Sequence, residues 1–237
     1  MIDSYVVVDV ETTGLNPKKD RLLEIGALKI LDGRPAGSFS RLINPRCQVP
    51  EQVIKLTGIT GRMAAQGHPA GEAVLQFLDF AENLPLVGHH VIFDYSFIKR
   101  AAVNAGAGFE RSGIDTLKLS RRLLPQLESR SLEALCRYFG IYQEKRHRAL
   151  EDAMATAELF EKLQALSGPE TEGIFQPKPL IYQIKKEKPA TIHQKKHLND
   201  LLKYHRINLG IEIDSLTRNE ASRIADEILS QYGKMRR

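Results

Sequence analysis

The chain has no tryptophan, only two cysteines in 237 residues, and no apolar stretch near the ~20 residues that cross a bilayer. Each shortage excludes something. Cys47 and Cys136 make neither a disulfide framework nor a zinc site, so free thiols in a reducing, cytoplasmic setting are expected. No membrane-spanning helix is expected. Met1-Ile2-Asp3-Ser4 lacks the basic patch and long apolar run that open a secretory signal. What is present is ordinary globular material, 42% hydrophobic and 27% charged. That is enough for one large domain, or a medium domain with a small one.

The net charge of +5 is unevenly spread. Residues 1–167 hold 21 Lys/Arg against 20 Asp/Glu, whereas 168–237 hold 13 against 9. Within 177–206, eight basic side chains face only Glu187 and Asp200. Such a segment attracts polyanions, nucleic acid above all. The competing account is a solvated linker kept extended by its own charge.

Tyr5–Val10 is a short, β-branched run that predicts a buried first strand. Leu22–Leu31 and Gly37–Ile43 predict two more, joined at Asp32-Gly33. Helices are expected at 51–56, 69–83, 94–105, 116–124, 131–139 and 150–166, with a short strand at 84–87. Three strands followed by alternating helix and strand imply an α/β fold with a mixed sheet flanked by helices. Residues 168–190 are rich in Pro, Gly and Lys and predict a linker. Beyond it, 191–237 predicts a small helix–loop–helix module for binding nucleic acid or, alternatively, docking a protein, its second helix opened by a capping box at Thr217 and Glu220.

Three groups of residues carry chemistry. Asp9 and Glu11 end the first strand, and residues i and i+2 face one side of a strand. Two carboxylates so close repel and are costly to desolvate without a counter-charge; a hard divalent cation supplies one. Asp94 opens a predicted helix, where an acidic residue can equally be a cap. His147 and Asp152 are five apart, about 140° around one continuous helix. They converge only if Asp152 sits in the helix's first turns and His147 on the loop before it. A loop histidine is suited to proton transfer, though it can also be merely exposed.

Taken in order, Val-X-Asp-X-Glu-Thr-Thr-Gly-Leu (7–15), His-X3-Phe-Asp (89–94) and His-X4-Asp (147–152) resemble the three motifs of the DnaQ-like 3′→5′ exonuclease family, in its histidine-bearing DEDDh branch. The resemblance covers residues 4–166. It includes Leu56-Thr57-Gly58-Ile59-Thr60, similar to a stretch of the proofreading exonucleases of bacterial replicative polymerases. His90 stands where family members commonly have Asn.

The resemblance implies an RNase H-like fold with Asp9, Glu11, Asp94 and Asp152 holding two ions, Mg2+ or Mn2+, and His147 as general base. It also implies that Thr12, Thr13 and Leu15 contact the terminal nucleotide, with Phe93 or Phe97 shaping its pocket. The implied reaction releases nucleoside 5′-monophosphates from single-stranded or frayed 3′ ends. DNA is favoured over RNA, with an exoribonuclease or oligoribonuclease as the alternative. The enzyme is expected either to stand alone or to proofread with a polymerase, which at this length would be a separate chain.

Overall fold

The computed structural model describes residues 2–184, 187–208 and 212–235, which fall into two compact units divided between Ile184 and Lys185. The first unit contains strands β1 (Tyr5–Thr12), β2 (Leu22–Leu31), β3 (Arg34–Asn44), β4 (His68–Pro69), β5 (Leu86–Gly88), β6 (Ser112–Asp115) and β7 (Lys178–Pro179). They form one sheet in the order β4-β3-β2-β1-β5-β6-β7. β1 pairs antiparallel with β2 and parallel with β5, and β5 pairs parallel with β6. The carboxyl ends of β1, β5 and β6 therefore lie along one rim.

Side-chain alternation on β1 divides the core. Val6, Val8 and Val10 pack with Phe77 of α3 (Ala70–Ala81) and with Tyr95 and Ile98 of α4 (Val91–Asn104). Tyr5 and Val7 face the other way, against Leu135 of α6 (Leu132–Phe139) and Leu159, Phe160 and Leu163 of α7 (Ala149–Ala165). Helix α5 (Thr116–Leu123) contributes Leu119 to this second core. Asp9 and Glu11 continue the Tyr5–Val7 face, so they point to the side that α7 covers. The short helices α1 (Glu51–Thr57) and α2 (Gly61–Ala65) close a small cluster of Leu23, Val49, Ile59 and Ala64.

Gly26 on β2 lies directly opposite Asp9. A Cβ there would fall 2.1 Å from the backbone of Ala149 and Leu150. The start of α7 thus rests on bare β2 backbone, a close approach only glycine permits.

The linker expected at 168–190 is corrected by the structure. Its first part, through Ile184, belongs to the first unit. Phe175 is fully buried in the α7-side core, β7 pairs with β6, and the Leu180 amide donates to the Arg111 carbonyl. Proline and glycine here shape a chain that wraps the sheet edge; they do not mark a break. Strand β6 is a further addition, since its four residues are too few to show a period in the sequence.

In the second unit, α8 (Ile192–His205) and α9 (Arg218–Tyr232) each open with a capping box, Thr191–Gln194 and Thr217–Glu220. Leu198 and Leu201 bury against Ile224 and Ile228, with Leu216 between the helices. Lys185 and Lys186, part of the basic run, lie outside the described residues.

Candidate active site

Four elements bring the chemical residues together. Asp9 and Glu11 come from the end of β1, where the ladder to β2 shifts register after Glu11. Asp94 comes from the first turns of α4. It is not the cap: His90 occupies that position with φ of 77°, and the Asp94 carboxylate accepts the Val10 amide at 3.1 Å. That bond fastens α4 to the strand beside Asp9. A left-handed cap is tolerated by Asn and His among the larger residues, which suits His90 to a place where family members commonly have Asn.

Asp152 lies in the first turn of α7 and His147 on the loop before it, with φ of 58°. Ligand atoms of Glu11, His147 and Asp152 lie within 4.8 Å of one another. The five-residue spacing converges because the helix starts between the two residues.

Burial pushes the carboxyls of Asp9 and Asp94 well above the usual range, and neighbouring acids add to it: Asp94, Asp152 and Glu11 for Asp9, Asp115 and Glu11 for Asp94. Burial raises Glu11 to about 8, helped by Asp152 and Glu24 and opposed by Arg148. Asp152 is also raised by burial, against a lowering hydrogen bond from Gln143. Burial and mutual repulsion therefore disfavour the ionised form of every carboxyl here, a cost that a bound cation would offset. Hard oxygen donors fit a divalent metal. Glu11, His147 and Asp152 form a candidate metal site.

Three supporting residues carry no signal in the sequence. Gln143 donates to Asp152 Oδ1 at 2.8 Å, tying the His147 loop to the carboxylate. Glu24 on β2, 2% exposed, faces Glu11 across the ladder. It receives Arg148 in a fork, Nη2 to Oε1 at 2.6 Å and Nε to Oε2 at 3.0 Å, and accepts the Ala149 amide at 3.1 Å. Glu24 thereby caps α7 from a neighbouring strand. The partners lie 124 and 125 positions apart, so no local pattern could reveal them.

The expected substrate residues divide. Thr12 Oγ1 donates to the Gly14 carbonyl at 2.6 Å, and Thr13 Oγ1 accepts the Arg21 amide at 2.9 Å, so both hydroxyls brace the loop after β1. Arg100 of α4 also holds this loop, at the Pro17 carbonyl. Leu15 stands on it with 84% of its surface exposed, available to a ligand. Phe93 is half-buried and packs on Phe97 at 5.0 Å between centroids. Phe97 itself is 3% exposed within the core, so it backs Phe93 and offers a ligand no surface of its own. Nearby His89 is structural: Nδ1 meets Thr116 and Nε2 meets the Arg130 carbonyl, each at 2.9 Å, and burial lowers its pKa.

A mixed sheet whose first strand ends in paired carboxylates, joined by acids from two helices, defines a nuclease-type hydrolase. The exonuclease family model (RNase T type) matches residues 6–160, and the chain belongs to that family, in its DnaQ-like branch. It is similar to the DNA polymerase III subunit epsilon of Aquifex aeolicus, 38% identical over 68% of this chain and 80% of that one. It is also similar to the PolC-type DNA polymerase III of Clostridium perfringens, 40% identical over 66% of this chain but 11% of the relative. The chain thus spans about a tenth of the length of its PolC-type relatives. Among solved structures, exonuclease X in complex with 5′-overhanging duplex DNA superposes with a TM-score of 0.58 at 25% identity, over 69% of this chain and 93% of that one. No helix among the described residues is long and apolar enough to cross a membrane.

Proposed function

We propose that this chain is a metal-dependent 3′→5′ exonuclease that removes nucleoside 5′-monophosphates from DNA ends. The observation that carries the reading is the convergence of Asp9, Glu11, Asp94 and Asp152 with His147 at one rim of the sheet. The four carboxylates would hold two Mg2+ or Mn2+ ions, which when bound activate water and stabilise the leaving 3′ oxygen. His147 takes the proton from the attacking water, and Gln143 and the Glu24–Arg148 fork keep its loop and Asp152 in register. Leu15 and Phe93 receive the terminal nucleotide, which must be unpaired to reach them. A buried, acidic floor repels the rest of the strand, so binding must come from elsewhere on the chain.

The names of the relatives favour DNA as substrate and a polymerase as partner. The alternative is the same chemistry on RNA, and nothing in the carboxylate set discriminates a 2′-OH. Incubation with 3′-labelled single-stranded DNA, mismatched duplex and RNA, with Mg2+, Mn2+ or EDTA, tests all of this. The expected result is metal-dependent release of 5′-monophosphates, faster from DNA than from RNA. Full activity in EDTA overturns the metal reading.

A further inference from the structure

Away from the carboxylates, a cavity of about 430 Å3 opens at the end of β6, between α4, α5 and the segment 174–181. Its volume lies within the ~300–1,000 Å3 of ordinary ligand sites. Ile92, Ile114, Leu119 and Leu180 line it, and three cationic side chains, Lys118, Arg122 and Lys178, stand around it. All three are exposed, and none forms an ion pair among the described residues. Asp115, 8% exposed, also lines the cavity. Its Oδ1 accepts the amides of His90, Leu117 and Lys118 at 3.0–3.3 Å, whereas its buried Oδ2 has no hydrogen-bond partner. An apolar floor ringed by exposed, unpaired cations describes a site for an anionic ligand with a flat, apolar face. A nucleotide is such a ligand.

The position of the cavity says which nucleotide. Asp115 pairs with Gly88, and Val87 pairs with Val7, so Asp115 stands level with the stretch of β1 that ends at Asp9. Two strand spacings of ~4.8 Å separate β1 from β6, about 10 Å along the same rim. A stacked strand rises ~3.4 Å along its axis per nucleotide and more when extended, so two or three nucleotides cover that distance.

We propose that this cavity is an upstream subsite of the exonuclease. It holds a nucleotide two or three positions before the 3′ end, with its phosphates on Lys118, Arg122 and Lys178 and its base on the apolar floor. The assignment rests on the exonuclease reading above and adds to it where the substrate's length is sensed.

The test compares a thymidine dinucleotide, too short to reach the cavity, with a longer oligothymidylate, on the full chain and on a Lys118→Glu/Arg122→Glu/Lys178→Glu variant. The expected result is that the wild type favours the longer substrate in kcat/KM and the variant loses that preference about tenfold, through KM. Anisotropy with the longer oligothymidylate in Ca2+ should show the salt slope shrinking by about 0.7 for each phosphate that the variant no longer neutralises. If both proteins cleave both substrates with the same preference and the same slope, the subsite is refuted while the exonuclease reading stands. If the wild type cleaves neither, the exonuclease reading falls and takes the subsite with it.

Discussion

The two units differ in charge more sharply than in size. Residues 1–184 balance 22 Lys/Arg against 22 Asp/Glu, whereas 185–237 hold 12 against 7, so the whole net charge of +5 belongs to the smaller unit. The larger unit buries a few of its acids at one rim and fixes them with long-range hydrogen bonds. The smaller one is a helical pair with two capping boxes, and none of the motif residues falls within it. Groups that do chemistry must be held against their mutual repulsion, which takes a sheet and helices from distant parts of the chain. Charge that would only attract a polyanion needs no such precision, and a helical pair would suffice to carry it.

The sharpest way to break this comparison is at the rim. Asp9→Ala or Asp152→Ala should reduce exonuclease activity to background, while the metal-free melting temperature stays level or rises, because one of several repelling carboxylates is gone. Paired activity assays and melts in EDTA check it; a clear loss of stability in both variants points to a structural role. Next in size, His147→Ala should slow turnover by roughly 10²–10⁴-fold, the usual weight of a general base. Metal affinity, read by calorimetry, should be nearly unchanged. Weakened affinity would make His147 a ligand, which its closeness to Glu11 and Asp152 permits.

Glu24→Gln probes the support beneath the site. Removing the charge under Arg148 should cost about 1–3 kcal/mol in urea melts, below the ~3–5 of a fully buried pair because Arg148 is a third exposed. Activity should fall further than that loss explains, since α7 and the His147 loop both start there. The rim also predicts a pH dependence. Glu11 titrates near 4.5 unfolded and about 8 folded, so the folded chain binds the extra proton between those values. The metal-free protein should lose stability as pH rises from about 4.5 to 8. Melts with and without Mg2+ check this, with the decline flattened by the ion.

The smallest effect on catalysis belongs to the basic unit. Removing 185–237 should leave turnover at saturating substrate nearly constant and flatten the dependence of log K on log salt by roughly 2–3 units, if three or four phosphates are neutralised there. Anisotropy on an Asp9→Ala background measures it. Parallel slopes would assign α8 and α9 to protein docking. The cut belongs after Ile184, because one at residue 167 would strip Phe175 from the core and β7 from the sheet.

What is legible in the chain follows the same division between near and far. Asp9 and Glu11 can be read from the period of a strand, and the capping box of Thr217 and Glu220 from its three-residue spacing, because both are local. Asp94 and Asp152 stand out only within the ordered motifs, since an acid at a helix start is ordinarily a cap. Gln143, Glu24 and Arg148 are invisible: nothing near Glu24 distinguishes it from any other strand acid until α7 arrives on top of it. Residues 168–184 mislead because proline and glycine at a sheet edge look like proline and glycine in a tether.

Gly26 carries a lesson for anyone sorting relatives of this chain. The α7 backbone sits where a side chain at position 26 would be, so a single added methyl must lift the wall that carries Asp152 away from the wall that carries Asp9. A homologue with alanine there would keep every motif residue and still have a misassembled cleft. Inventories of catalytic letters would count it as competent, although the room its two walls need to meet would be gone.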